Sequence, residues 1–263
     1  MSSAPKIIIK TPEQIANIRE AGKYLTEMLG ILSAYSKPWT VLLDIEAQAA
    51  AYLKKNNVKG TFIWHHGYKH NLCLSVNDCV VHGIPDRYVL KEWDLLKIDA
   101  GVTYKWYIAD SAVSLVVGWN HTNTDAALLL ETTKEALDIG LGFIKPWKPL
   151  YDYWYAVQQH VKSKWCTIIK NLTGHGVGTA LWEPPYIHNR GHPDSQDIFF
   201  KPWMVVALEP ITAMGSTSYI EKPKINNWNL YTAQGDLGAQ REYTIVITDS
   251  WYEVLAGVQS LAS

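Results

Sequence analysis

Leu95-Leu96-Lys97-Ile98-Asp99-Ala100-Gly101 and Ile108-Ala109-Asp110-Ser111-Ala112 are two apolar runs, and each contains one aspartate. Their composition is typical of buried strands, and the short segment between them predicts a turn. An uncompensated carboxylate in such a strand is costly, so each aspartate must shift its pKa or bind a cation. Taken alone, the pair is better explained as two solvated acids at strand ends.

Three further segments place an ionisable side chain beside an apolar strand or in a glycine loop. They are Thr173-Gly174-His175-Gly176-Val177-Gly178, Val205-Val206-Ala207-Leu208-Glu209-Pro210 and Gln240-Arg241-Glu242-Tyr243-Thr244-Ile245. Four gathered carboxylates are unstable unless cations neutralise them, and two divalent ions would do so. Oxygen-rich ligation with one imidazole favours Mn, Fe or Co over a thiolate-type zinc site. Two such ions, roughly 3.5–4 Å apart, activate water and polarise a carbonyl, which is hydrolase chemistry.

The composition indicates a globular chain with a sizeable core. The 263 residues are 48% hydrophobic and 19% charged, and no apolar run approaches the about 18 residues of a membrane helix. The net charge of −1 gives no electrostatic case for a nucleic-acid or membrane partner. Three cysteines without a CxxC pair argue against a disulfide framework and a zinc ribbon. Because the N-terminus also has no signal-peptide core, we expect a cytoplasmic protein, and we expect it to be monomeric.

Local patterns predict four helices and five principal strands. Thr11-Pro12-Glu13-Gln14 predicts a helix start with a capping box, and Ile15, Ile18, Leu25, Leu29 and Leu32 follow on one face. The other predicted helices cover residues 42–56, 125–141 and 150–164. The predicted strands cover residues 71–76, 95–100, 107–117, 204–210 and 243–248.

The chain also repeats itself. Lys37-Pro38-Trp39 recurs as Lys145-Pro146-Trp147, and Lys91-Glu92-Trp93 is matched by Lys201-Pro202-Trp203 at nearly the same spacing. The second pair is followed in each case by a strand-end acid, Asp99 or Glu209. This favours an internal duplication over chance, with halves at about residues 37–115 and 145–250 of one domain, residues 1–263. Two similar halves would bring their strand-end acids together on a shared sheet.

With their neighbours, the five candidate ligands resemble the signature of type I methionine aminopeptidases, which are M24-type metallopeptidases. The similarity covers nearly the whole chain, and Ser75-Val76-Asn77-Asp78-Cys79-Val80-Val81-His82-Gly83-Ile84-Pro85-Asp86 is especially specific. The resemblance implies the α+β pita-bread fold, in which two pseudo-symmetric halves share a central antiparallel sheet covered by helices. It implies removal of the initiator methionine from nascent polypeptides with a small second residue. It also implies two divalent metal ions, Co, Mn or Fe, and leaves open whether the ribosome is contacted.

The same resemblance implies a role for each acidic residue and for the histidine. Asp99 would chelate one ion, while Asp110 and Glu242 would bridge both. His175 and Glu209 would complete the second ion's ligands. Glu209 would also handle the proton of the attacking water, which makes it a catalytic residue as well as a ligand.

Five positions are implied to contact the substrate. His82 would hydrogen-bond the substrate backbone and act as the second catalytic residue, and Tyr68, Cys73, His82 and Trp228 match the methionine pocket. Ordinary core packing explains Tyr68 and Cys73 almost as well. Trp182 stands where the family usually has a second His, seven residues after the ligand His. The metal set is intact, so this change bears on substrate orientation or turnover, and losing one transition-state hydrogen bond costs about 10²–10³ in rate.

Two alternatives therefore stay open. One is a non-catalytic or altered pita-bread protein that binds a partner, which Trp182 keeps in consideration. The other is a proline-directed aminopeptidase, although such enzymes carry a large additional N-terminal domain for which this chain has no room.

Twelve Trp against four Phe is an unusual ratio. Many of these Trp stand at expected turns or helix ends where the family has glycine: Trp39, Trp64, Trp93, Trp106, Trp119, Trp147, Trp154, Trp165, Trp203 and Trp251. Such turns often need φ > 0, which a bulky residue adopts poorly. We hypothesise a genetic code in which UGA specifies glycine but was translated as Trp, with genuine divergence as the alternative. Trp228 differs because the family also has Trp there, and Trp182 fits either class.

Overall fold

Four helices are present in the computed structural model, which describes residues 6–118, 124–193, 197–215, 220–221, 226 and 228–259. They are α1 (Pro12–Tyr35), α2 (Leu42–Lys55), α3 (Thr124–Leu141) and α4 (Leu150–Ser163). The four predicted helices are confirmed, with ends that differ by one residue where a range was predicted. None of the described helices has both the length and the apolar character needed to cross a membrane.

Helix α1 begins as its sequence predicts. The Thr11 hydroxyl accepts from the Gln14 backbone N–H at 3.3 Å, and the Gln14 side-chain oxygen accepts from the Thr11 N–H at 2.8 Å. Together these bonds form the predicted capping box. The predicted apolar face is buried, and α1 packs across the long hairpin described next.

Ten of the fifteen strands among the described residues lie in the second half of the chain. The first half contributes β1 to β5: Lys59–Gly60, Leu72–Val76, Cys79–Val81, Leu95–Tyr104 and Tyr107–Val116. The second half contributes β6 to β15: Cys166–Ile168, Gly174–Gly176, Glu183–Ile187, Val205–Leu208, Ile211–Met214, Ile220–Glu221, Leu230–Thr232, Gly238–Gln240, Tyr243–Ile247 and Tyr252–Ala256. All five predicted strands are present. The predicted strand 95–100 is too short, because β4 and β5 remain paired up to the turn that joins them.

The described strands form four antiparallel sheets. The larger two are β1-β4-β2, with β5 on β4, and β15-β14-β9-β7-β8. They meet where β5 passes the start of β14: the Ser111 hydroxyl donates to the Glu242 carbonyl at 2.6 Å, and the Glu242 N–H donates to the Ala112 carbonyl at 3.0 Å. The contact therefore joins the halves of the molecule beside two of the predicted ligands.

Matched backbone contacts recur in the two halves. In four turns a Trp N–H donates to a carbonyl at 2.7–2.9 Å: Trp39 to Leu90, Trp147 to Phe200, Trp93 to Val117 and Trp203 to Ile247. Helices α2 and α4, which follow the first and second of these turns, both have 14 residues. These contacts support the internal duplication, which remains a prediction.

Trp154 contradicts the expectation that it stands at a turn or helix end. It lies within α4, is only 9% exposed, and packs edge-on against Tyr151 with ring centroids 4.7 Å apart. The helix buries this side chain because it falls on the same face as Leu150, Val157 and Val161. Trp119 lies outside the described residues.

Candidate metal centre

Strand register brings Asp99 and Asp110 together. In the β4–β5 hairpin Asp99 is opposite Ala112, and Asp110 is opposite Gly101. The two aspartates are therefore diagonal neighbours on one face of the sheet. The long hairpin thus turns two separate acids of the sequence into a pair.

Register in the second large sheet gathers the other three candidate ligands. Thr244 of β14 and His175 of β7 are both opposite Ala207 of β9. Because residues two apart on an extended strand share a face, Glu209 and Glu242 are expected to lie on the face of His175. The observed burial and contacts of these side chains agree with that placement.

The side chains of the two sheets approach one another closely. His175 Nε2 lies 3.8 Å from Asp110 Oδ2 and 3.6 Å from Glu209 Oε1. One potential ligand atom from each of Asp110, His175 and Glu242 falls within 4.8 Å of the other two. We call Asp99, Asp110, His175, Glu209 and Glu242 the acidic cluster, and all five are buried.

Burial gives the acidic cluster unusual proton affinities. It raises the pKa of Asp99 to about 7. Burial and then the charges of neighbouring carboxylates raise the pKa of Asp110, Glu209 and Glu242 well above their ordinary values. Burial also lowers the pKa of His175 to about 4, so its imidazole is neutral near pH 7. Without cations, the cluster must therefore retain protons.

The acidic cluster fits divalent cations. Asp99 Oδ1 and Asp110 Oδ1 are buried and have no hydrogen-bond partner among the described residues. The His175 Nδ1 is 2.9 Å from the Gly176 carbonyl, which favours a proton on Nδ1 and leaves the Nε2 lone pair towards the carboxylates. Orphaned carboxylate oxygens with a neutral imidazole are the donors that Mn²⁺, Fe²⁺ and Co²⁺ accept.

Several residues that support the acidic cluster were missed by the sequence analysis. The Gln240 amide donates to Glu209 Oε2 at 3.2 Å, and the Asn189 amide donates to the Glu209 carbonyl at 2.8 Å. The Thr244 hydroxyl donates to the Asp110 carbonyl at 2.6 Å. Strand alternation could have identified Gln240, two residues before Glu242, but no local pattern indicates Asn189.

All ten predicted site residues line one cavity of about 260 Å³. Within it the Tyr68 ring meets the Trp228 ring edge-on, with centroids 4.9 Å apart. The Tyr68 hydroxyl is near the Leu72 and Gly83 carbonyls, at 2.8 and 3.2 Å. Cys73 is opposite Asp99 in the β2–β4 pairing, and burial raises the pKa of its thiol. Tyr68 and Cys73 therefore lie in the cavity wall. Both are also buried, as ordinary core packing would require.

The remaining predicted residues flank the acidic cluster. His82 follows β3 in a left-handed conformation, with φ of 56°. Trp182 is 46% exposed, meets the His65 ring edge-on at 4.8 Å, and stacks on the His66 ring at 5.9 Å. We call His65, His66 and Trp182 the aromatic cluster. Sequence analysis missed His65, whose Nε2 is buried without a hydrogen-bond partner among the described residues.

Comparison with known proteins agrees with this geometry. Residues 16–249 match the model of metallopeptidase family M24. The methionine aminopeptidase of Mycoplasma capricolum is 35% identical over 249 residues, 95% of this chain and 98% of that protein. Methionine aminopeptidase 1 of Bacillus subtilis is 35% identical over 252 residues, covering 96% of this chain and 100% of that protein.

Solved structures lead to the same assignment. Methionine aminopeptidase from Thermotoga maritima superposes with a TM-score of 0.91 and 33% identity, covering 96% of this chain and all 100% of that one. The predicted α+β, pita-bread architecture is confirmed by this match. The chain therefore belongs to metallopeptidase family M24 and, within it, to the methionine aminopeptidases.

Proposed function

We propose that the acidic cluster holds two divalent ions and that the chain uses them to remove an N-terminal initiator methionine. The observation that carries this proposal is the convergence of four buried carboxylates and one neutral imidazole on a single cavity. Cobalt, manganese and iron are the candidate metals, because the donor set is mostly oxygen.

Each member of the acidic cluster has a proposed task. Asp110 and Glu242 would bridge the ions, Asp99 would bind one, and His175 with Glu209 would bind the other. When bound, the ions would supply Lewis acidity and lower the pKa of water. Glu209 Oε1 would take the proton of the attacking water and pass it to the leaving amine, since Oε2 already accepts from Gln240.

The other cavity residues would select and orient the peptide. Tyr68, Cys73 and Trp228 would surround the methionine side chain, and a thioether makes favourable contacts with aromatic rings. His82 would donate a hydrogen bond to the substrate carbonyl. The free α-amino group would lie beside the acidic cluster, which would restrict cleavage to the first peptide bond. The preference for a small second residue is carried over from the resemblance to type I methionine aminopeptidases.

The proposed partners are the N-termini of nascent peptides. Contact with the ribosome is a further candidate interaction. A cytoplasmic location is supported by three free cysteines, all buried. The net charge of −1 supports neither a nucleic-acid nor a membrane partner. A monomer is the simplest assembly, because all five proposed ligands come from one chain.

One observation favours a second candidate function. Trp182 supplies no imidazole where one is expected, so a protein that binds methionine-first peptides without cleaving them is the alternative. Such a protein would retain metal and peptide affinity and lack turnover.

A peptide panel tests the proposal. The metal-free chain is supplied with Mn²⁺, Fe²⁺ or Co²⁺ and given Met-Gly, Met-Ser, Met-Leu and Xaa-Pro peptides, and free amino acids are quantified by chromatography. We expect methionine to be released from Met-Gly and Met-Ser, much less from Met-Leu, and nothing from Xaa-Pro. Bound metal and bound peptide without release under every condition would establish the binding function instead.

A further inference from the structure

Seven of the described tryptophans have left-handed backbone conformations, with φ between 59° and 76°. They are Trp39, Trp64, Trp93, Trp106, Trp147, Trp165 and Trp203. They make up seven of the twelve described non-glycine residues with positive φ, although Trp accounts for only 12 of 263 residues. Asparagine tolerates this region through local hydrogen bonds, but an indole has no such compensation.

Apart from the Trp93 ring, which packs against a buried apolar cluster, the indole rings at these positions contribute little to the core. Six of the seven are exposed, from 37% for Trp203 to 88% for Trp165, and Trp93 is half-buried. An exposed apolar ring gains almost none of the burial free energy that could offset backbone strain. Glycine at each position would keep the backbone path and remove only this ring and its strain.

Four of these residues form two structurally matched pairs. Trp39 and Trp147 have φ of 74° and 67°, and Trp93 and Trp203 have φ of 76° and 67°. Within each pair the backbone N–H donates to the corresponding carbonyl of its own half. The requirement for positive φ therefore belongs to a turn that the fold uses repeatedly, and glycine meets that requirement without strain.

We infer that these seven positions are glycine in the protein made by its own cells, through a genetic code that reads UGA as glycine. Trp154 and Trp228 lie outside this inference, because neither has a positive φ and both pack against other side chains. Backbone conformation does not assign Trp182 or Trp251 to either class.

The coding sequence and the native protein provide the first test. We expect UGA at the seven positions and UGG at Trp228. Tandem mass spectrometry of tryptic peptides from protein purified from its own cells should read glycine at the seven positions and Trp at position 228. A Trp reading at the seven positions would overturn the inference, as would UGG codons there.

Thermal stability provides the second test. A recombinant variant with all seven Trp→Gly changes should melt at a higher temperature than the recombinant parent that carries Trp at these positions, because strain is removed. The matched control carries Trp154→Gly and Trp228→Gly, and it should melt lower because packed rings are lost. A lower melting temperature for the sevenfold variant would overturn the strain argument.

A second inference rests on an independent contact between Lys10 and Glu183. The Lys10 ammonium donates to Glu183 Oε2, and their side chains are only 1% and 2% exposed. Glu183 Oε1 also accepts from the Thr179 and Ala180 backbone N–H groups, at 2.6 and 2.9 Å. The pair thus ties the segment before α1 to the 179–183 loop, whose last residue begins β8 and which carries the cavity residues Leu181 and Trp182.

The Lys10–Glu183 ion pair favours a single conformation of the 179–183 loop. Burial lowers the pKa of Lys10, although Glu183 opposes that effect. Burial acts to raise the pKa of Glu183, but hydrogen bonds and the charge of Lys10 outweigh it and leave that pKa lowered. Removing one partner of a buried pair leaves an uncompensated charge, which strongly disfavours the original arrangement.

We propose that Lys10 is a positioning residue that fixes the 179–183 loop and, through it, the cavity wall formed by Leu181 and Trp182. The proposal rests on the function proposed above. Lys10 lies outside the five proposed metal ligands, so its effect should appear in substrate binding and leave metal content unchanged.

Steady-state kinetics test this role once the parent has been shown to release methionine. That first assay distinguishes a failure of the proposed function from a failure of the Lys10 proposal. Lys10→Met should raise KM for a Met-Gly peptide about tenfold, with a smaller change in kcat and unchanged metal stoichiometry. Adding Glu183→Gln should recover part of the loss, because no buried charge is then unpaired. Lys23→Met, which breaks an exposed helix pair, is the control and should leave KM unchanged. An unchanged KM in Lys10→Met, or equal loss of metal and activity, would overturn the proposal.

Discussion

The acidic cluster lines the same cavity as His65 and Trp182 of the aromatic cluster, but the two clusters are held in different ways. Four members of the acidic cluster lie on or directly beyond paired strands, Glu242 precedes β14, and all five are buried. The aromatic cluster comes from the short 3₁₀ turn His65–Gly67 and from Trp182 in a loop. Sheet register therefore fixes the positions of the proposed metal ligands. Loops instead supply the neighbouring residues, including Trp182, where the family usually has a second His.

Asp110→Asn should have the largest effect, because it removes a proposed bridging ligand from the acidic cluster. We expect kcat/KM on a Met-Gly peptide to fall by at least about 10³, and we expect metal stoichiometry to fall as well. Both quantities are measured by kinetics and by elemental analysis of dialysed protein. The exposed Asp138, which pairs with Lys134 at 3.1 Å, provides the matched Asp→Asn control. Equal activity in the two variants would refute the assigned site.

Metal removal should make stability depend on pH through the acidic cluster. Burial raises the pKa of Asp99 from 3.8 to about 7. A carboxyl group with a raised folded-state pKa stabilises the fold below its unfolded pKa, and this stability is lost as pH rises through the folded pKa. The metal-free protein should therefore lose stability progressively between pH of about 4 and 7.

Calorimetry can measure the direction in which the stability of the metal-free protein changes with pH. The melting temperature of the metal-free protein should fall across that pH range, and the gain on adding Mn²⁺ should grow as pH rises, because metal displaces protons. A metal-induced gain that shrinks with rising pH would contradict the proposed competition.

Trp182→His tests the aromatic cluster with a smaller expected effect. A donor imidazole beside the substrate should raise kcat/KM for a Met-Gly peptide about tenfold, towards the value of a transition-state hydrogen bond. Trp251→His, at a 39% exposed position away from the cavity, is the control. If neither change alters kcat/KM, the absence of an imidazole at position 182 does not limit this enzyme.

Tyr68→Phe should have the smallest effect. It removes the hydroxyl contacts to the Leu72 and Gly83 carbonyls but keeps the ring against Trp228. The free energy of unfolding should fall by about 0.5–1.5 kcal/mol, and KM for Met-Gly should change little. Urea unfolding measures the first quantity, with the exposed Tyr35→Phe as control. A large increase in KM would show that the hydroxyl contacts substrate.

Sequence patterns could predict the residues that carry a local signal, but not those that tertiary folding brings together. Asp99 and Asp110 are conspicuous because they interrupt apolar strands, and the Thr11 capping box is a purely local signal. Asn189 reaches Glu209 only through tertiary folding, and His65 meets Trp182 across a large sequence separation, so neither has a local signature. Trp154 was misassigned because a Trp at a helix interior and one at a turn look alike until its neighbours in space are known.

Anomalous diffraction from crystals grown with Mn²⁺ would locate the metal ions themselves. We expect two strong peaks, roughly 3.5–4 Å apart, with Asp110 and Glu242 between them, Asp99 on one side, and His175 with Glu209 on the other. No peak at the acidic cluster, or a single peak bound by other side chains, would rule out the proposed metal site.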